Sequence, residues 1–332
     1  MRGASTGGAG TLDCGNDPIG RVARDQGFVL TAGQLWTAGW VEHDLKRERR
    51  RGKMWLPARG VACPIPIQTG ADAFLLARRR HALRATAAVL THRGHLIGAR
   101  SAAIVHGLPT LSVPPDPELI SPRRAQDPRA VHPTTGRRTA SAVRVSHLPE
   151  SERTTWYGAP VLSAARTVTE IARTDRRAGL VTADAALFEG LVTADELTAS
   201  IRRWGARRGV ARAREVVSLA RAGGESPLES LIRLALHDDG FPEPELQVVI
   251  HDPERGRQYR VDLLLREQGL IIETDGLLKY DGPGGRDALR REKIRETRLV
   301  ALGYRVVRIL WDDVVRYWPQ TAARLWGALG RS

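Results

Sequence analysis

A chain of 332 residues with 42% apolar side chains can bury two or three cores, and no run of about 18 apolar residues marks a membrane-spanning helix. Its two cysteines, Cys14 and Cys63, exclude a disulfide framework and a cysteine-rich zinc site. With 51 basic against 37 acidic residues the formal charge is +14, which favours polyanionic partners and nucleic acid above all.

Residues 1–16 lack the apolar core of a signal peptide. They read as a disordered leader on a cytoplasmic protein. The positive charge is almost all arginine, since lysine occurs only at 46, 53, 279 and 293. That skew also fits GC-rich coding.

Residues 17–66 predict short helix, turn, basic helix, hairpin. Asp17-Pro18 supplies an N-cap and an N1 proline, and Thr31 caps "AGQLWTA". Gly39 turns the chain into "WVEHDLKRERRRGK", and "KMWLPARGVACP" gives two short strands around a turn. This is the order of a winged helix-turn-helix. Its third helix would offer His43, Lys46, Arg47, Arg49 and Arg50 to bases and phosphates. A solvated, charged helix on a protein-interaction module fits the same run.

Residues 71–222 predict a mainly helical middle region. "DAFLLARRRHALRATAAVL", "GHLIGARSAAIVHGLP", "PVLSAARTVTEIARTD" and "GLVTADAALFEG" read as helices, the second with Ser101 near its start. The Pro- and Arg-dense stretch 112–138 reads as loops around one strand, and "AVRVSHLP" as another strand. His92, His95 and His106 lack a convincing metal-ligand spacing and read as packing histidines. "IRRWGARRGVARAREVVSLARAGGESP" reads as one basic helix, and its "GGESP" as a domain boundary.

Residues 225–332 predict α-β-β-β-α-β-α. The first helix, "PLESLIRLALHDDG", starts at Ser226. Strands "ELQVVI", "YRVDLLL" and "LIIETDG" follow, then helix "RDALRREKIRETRLVAL", strand "YRVVRIL" and a last helix after Trp311. Asp262, Glu273 and Asp275 stand among leucines, isoleucines and valines, where a carboxylate is costly unless compensated. A two-residue turn at Glu267-Gln268 puts Asp262 opposite Glu273, and Asp275 shares that face. A three-residue turn with Gly269 left-handed slips Asp262 opposite Thr274. Three ionised carboxylates require a cation. Mg²⁺ (or Mn²⁺) suits oxygen ligands and can polarise a phosphodiester, while Lys279 can stabilise the developing charge. Ser226 and Glu229 also make a capping box, and Asp275-Gly276 is a common turn pair.

"SPLES…R", "Q", "VD", "ETDG…KY", "REKIRETRL" and "LGYRVVRILWDD" resemble the DUF559 domain, related to the very-short-patch-repair endonuclease and the PD-(D/E)XK nucleases. The upstream half, with "GARSAAIVHGL" and "AARTVTEIAR…ADAAL", resembles AbiEi-type antitoxin-like proteins. The resemblance implies an α/β fold with a restriction-endonuclease-like core, a mixed sheet flanked by helices. It implies that Asp262 and Glu273 bind metal, that Thr274 offers its carbonyl, and that Glu229 assists. Asp275 stands where the wider superfamily has the lysine of E-X-K, which leaves the base among Asp275, Lys279 and Lys293. The expectation is a Mg²⁺-dependent DNA endonuclease. Its rivals are an antitoxin-like DNA-binding regulator with an inactive core and a module that binds a toxin or defence-system protein.

Overall fold

The computed structural model describes residues 18–64, 72–92, 94–121, 141–144, 148–274 and 285–330. The fold is α/β, with mixed sheets flanked by helices. The expected leader, together with Asp275 and Lys279, lies outside the described residues. The described chain divides into two compact units, one of residues up to 174 plus 195–210, the other of 175–194 plus 211 onward.

The first unit opens with α1 (Pro18–Asp25), β1 (Leu30–Thr31), α2 (Ala32–Thr37) and α3 (Glu42–Arg50), then β2 (Trp55–Ala58) and β3 (Val61–Cys63). The Thr31 cap is as expected, Asp17 lies outside the described residues, and Asp44 adds a cap that the sequence reading did not single out. Thr31 and Gln34 close a reciprocal capping box, and Asp44 reaches back to the Val41 N–H. Beyond the expected hairpin, β1 adds a third strand in the order β1-β3-β2, all antiparallel. Two residues are too few to show a period of two, which is why β1 is silent in the sequence. One side of this sheet packs with Leu35, Trp40 and Met54, the other with Ala87 and Leu83 of α4 (Ala73–Thr91). The expected boundary between 66 and 71 therefore does not separate two compact bodies.

The middle region is less helical than expected. After α4 come β4 (Leu96–Ile97), α5 (Ala99–Val105), β5 (Glu118–Ser121), β6 (Ser141–Arg144), β7 (Arg153–Trp156), β8 (Ala159–Leu162) and α6 (Ala164–Thr174). The strands form a five-stranded sheet ordered β6-β5-β4-β8-β7. β5 and β6 fall where strands were expected, but β4 and β8 are two to four residues long and were read as parts of helices, and β7 was not read at all. The histidines pack as expected: His106 Nε2 lies 2.7 Å from the Leu162 carbonyl, and His92 Nδ1 2.8 Å from that of Ala88.

The helix expected from 201 is two helices. After α7 (Arg176–Phe188), α8 (Ala194–Trp204) stops at Gly205 (φ 61°), and α9 (Val210–Leu219) starts after Gly209 (φ 81°). A Cβ at Gly209 would collide with the Arg173 carbonyl oxygen, so the break needs glycine there.

The second unit takes α7 and α9 in, upstream of the expected boundary at 225. Its order is α10 (Pro227–Asp238), β9 (Glu245–Asp252), β10 (Arg257–Leu265), β11 (Leu270–Thr274), α11 (Gly285–Ala301), β12 (Arg305–Ile309), α12 (Trp311–Val315) and α13 (Trp318–Ala328). The expected last helix is thus a pair. The sheet runs β12-β11-β10-β9, parallel at β11·β12 and antiparallel elsewhere. Buried Asp184 of α7 ties this unit together. It accepts hydrogen bonds from Arg233 (2.7 Å) and Ser230 (2.8 Å) of α10 and from the Arg221 N–H (2.8 Å).

Candidate functional site

The register answers the turn question from both sides. Leu263 pairs with Ile272 and Leu265 with Leu270, which puts Asp262 in line with Glu273. Gly269 nevertheless takes the left-handed conformation (φ 60°), because Arg266–Gln268 form a short 3-10 turn ahead of it. The connection is longer than either hairpin considered from sequence, and it keeps the first register.

The row extends across the sheet. Val261↔Val248 and Leu263↔Leu246 bracket Asp262 with Gln247 on β9, and Glu273 pairs with Arg308 on β12. Gln247, Asp262, Glu273 and Arg308 thus occupy four neighbouring strands at one level. The sheet is irregular here. Gln247 has a φ of 52°, rare for a residue with a side chain. Val261 and Leu264 join one core with Val248 and Ile271, although an unbroken two-residue alternation sends positions three apart to opposite faces. The alternation is reset at the Asp262–Gln247 level.

Each carboxylate is held by defined donors. Asp262 Oδ2 accepts the Thr274 N–H (2.8 Å) and hydroxyl (2.7 Å), standing in where the ladder of β10 and β11 has ended. Glu273 is buried, and its Oε1 receives Arg295 Nη2 at 2.7 Å. The same Arg295 donates to the Arg260 carbonyl (2.6 Å) and to Glu292 (2.9 Å). Arg308 holds Glu292 and Glu296, each at 2.9 Å. Glu229 is 4% exposed, at the third position of α10. Its N–H is capped by Ser226 Oγ (3.2 Å), and its Oε2 accepts the Glu225 N–H (3.1 Å) and Gln247 Nε2 (2.9 Å). The Ser226 cap forms, but the expected box is not reciprocal: the Glu229 carboxylate reaches the Glu225 N–H instead of that of Ser226.

Electrostatics link the three. Burial pushes the Glu229 carboxyl above its ordinary value, against its hydrogen-bond donors, and the Asp262 charge pushes the same way. Burial likewise raises Glu273; Arg295 opposes that, while the charges of Asp262 and Glu292 add to it. Asp262 is thus the shared neighbour of both glutamates.

Not every expected residue joins. Among the described residues no three His, Cys, Asp or Glu side chains converge closely enough to enclose an ion. Of the expected trio of Asp262, Glu273 and Asp275, the last lies outside the described residues. Lys293 is exposed on α11. Sequence reasoning gave no role to Gln247, Arg295 or Arg308. A polar amide inside "ELQVVI" was the one local signal; the arginine partnerships are non-local and left none.

The basic helix α3 divides. His43, Arg49 and Arg50 are exposed and make no ion pair among the described residues. Lys46 pairs with Glu42 (2.7 Å), and Arg47 with Asp44 (2.9 Å) and Glu48 (3.2 Å).

No family model matches the chain. Over 167 residues it is 36% identical to Uncharacterized protein MT2308 and to Uncharacterized protein Rv2248, from two strains of Mycobacterium tuberculosis. That span is 50% of this chain, and the chain covers 60% of the length of these curated relatives. The crystal structure of RV2827C protein from Mycobacterium tuberculosis aligns with 72% of this chain and 89% of its own, at 17% identity. Its TM-score of 0.35 is too low to carry a fold argument.

Proposed function

We propose that the chain is a Mg²⁺-dependent DNA endonuclease whose restriction-endonuclease-like core is the second unit and whose DNA-holding helix is α3 of a winged helix-turn-helix. The observation that carries this reading is the level of Gln247, Asp262 and Glu273 on three adjacent strands, with Glu229 bonded to Gln247 and electrostatically coupled to Asp262.

The residues fit a hard divalent cation. Gln247 Oε1 is buried without a hydrogen-bond partner, and Asp262 and Glu273 offer carboxylate oxygens, the ligand type such an ion takes. Mg²⁺ is held by one or two carboxylates and completes its shell with water and phosphate, so it does not require three converging protein carboxylates. Asp262 and Glu273 would hold it, with the Thr274 carbonyl. When bound, it supplies polarisation of the phosphodiester and a more acidic water.

The chain's own groups then have distinct tasks. Thr274 fixes one Asp262 oxygen and leaves the other for a ligand. Arg295 orients Glu273 by one oxygen in the same way. Glu229, whose carboxyl burial has raised, is suited to holding a water or a proton beside Asp262. Asp275 or Lys279 would handle the remaining proton or charge.

Supercoiled plasmid incubated with the protein and Mg²⁺ or Mn²⁺ tests the reading. Nicking that requires the ion and disappears in D262A is expected; equal nicking by wild type and D262A ends it.

A second reading is favoured by one contact. Arg295 already neutralises Glu273. In an antitoxin-like DNA-binding regulator, catalysis is absent and the arginine is a permanent countercharge. Salt-sensitive binding to the DNA upstream of its own gene, without nicking in either metal, would select this reading over the first, and a toxin partner would then be sought by co-purification.

A further inference from the structure

Gln247 combines three features that packing alone does not explain. It lies inside β9, where no turn needs a left-handed residue, yet its φ is 52°. A side chain in that region costs free energy that glycine would avoid. Its amide nitrogen donates to Glu229 Oε2 at 2.9 Å. Reversing the amide would set its oxygen against the Glu229 carboxylate, so the orientation is fixed. Its Oε1 is then a buried acceptor with no donor. Buried acceptors are rarely left unmet, so this oxygen is built to meet something that arrives.

The location narrows what arrives. Gln247 shares its level of the sheet with Asp262, and Glu229 lies on the other side of its amide. A donor or cation meeting Oε1 has the Glu229 carboxylate, held by the same amide, as its neighbour, at the level of the sheet that carries Asp262.

We infer that Gln247 is a positioning residue for the divalent cation and its water. Its N–H sets the direction of Glu229, and its Oε1 takes a hydrogen bond from a metal-bound water. The strained backbone is retained because only there does the amide reach both. This inference rests on the metal-dependent reading above and adds a residue to it.

Q247G separates a positioning role from a structural one. Glycine removes both the side chain and the strain. In EDTA, Q247G gains relief of the backbone strain and loses a donor to buried Glu229, so its metal-free melting temperature serves as the baseline for the Mn²⁺-induced shift. Titrated with Mn²⁺ alone and followed by thermal unfolding and calorimetry, Q247G should bind roughly 10- to 100-fold more weakly than wild type, the usual loss when a supporting partner of a metal site is removed. Q247E keeps an oxygen but loses the donor to Glu229, and is expected to show the same weakening. Mn²⁺ affinity of Q247G equal to wild type, when D262A abolishes binding, overturns the inference. Wild type with no Mn²⁺ binding overturns both this inference and the nuclease reading.

Discussion

His81 shows how much a single side chain can commit to one protonation state. It is 2% exposed on α4, with Nε2 2.7 Å from Ser101 Oγ, which itself accepts the Glu118 N–H at 2.8 Å. Burial, then the Arg84 charge, lowers its pKa from 6.5 to about 4, despite Asp116. A neutral imidazole can take the Ser101 proton; an imidazolium cannot. A histidine whose folded pKa is depressed gives stability that is present above pH 6.5 and is lost as pH falls toward about 4. The loss is on the order of 3 kcal/mol when complete. Unfolding followed between pH 7 and 4 should show this slope in wild type and lack it in H81N. The Ser101–His81 pair therefore reads as a buried polar link that keeps α4 and α5 in register. The same logic of desolvation raises Glu229 and Glu273, but there it acts on acids next to another acid, which is a reason to look for a ligand.

The element that most changes the domain picture is α7. Its Asp184 is fully buried and receives Arg233, Ser230 and the Arg221 N–H, so α7 is bound to α10 by a desolvated ion pair. Removing one partner strands a buried charge, which costs about 3–5 kcal/mol. D184A is accordingly expected to lower the denaturant midpoint of the second unit, and truncation at the sequence-based boundary of 225 should yield an unstable fragment, because it deletes α7. Urea unfolding of D184A and expression of residues 225–332 check both. Fragment 225–332 folding with full stability would show that α7 is dispensable.

The net charge of +14 belongs to the whole chain. It predicts association with DNA dominated by counterion release, so that log affinity falls linearly with log salt by about 0.9 per phosphate neutralised. Arg49 and Arg50 have no competing ion pair among the described residues, whereas Lys46 and Arg47 do. The R49A/R50A pair should weaken binding across DNA sequences and reduce the salt slope by about two, while K46A changes it less. Fluorescence anisotropy on duplex DNA at several salt concentrations measures this. A slope unchanged by R49A/R50A would remove α3 from the DNA-contact surface.

Residue order alone determined the caps at Thr31 and Ser226 and the α-β-β-β-α-β order that opens the last hundred residues, though not the division of the final helix into α12 and α13. These are local: a period of 3.6 or 2 and a side chain reaching its own helix end. It also singled out Asp262 and Glu273, because a carboxylate in an apolar strand breaks a local pattern. The tertiary structure decided what depends on distant pairings. Strands of two to four residues assembled the unexpected five-stranded sheet, and glycines at 205 and 209 split a helix whose neighbour, the Arg173 carbonyl, lies far back in the chain. The site was divided in the same way. Its acids were legible, but Gln247, brought level with Asp262 by sheet register, and Arg295, brought to Glu273 by the packing of α11, acquire meaning only when the strands and helices are in place.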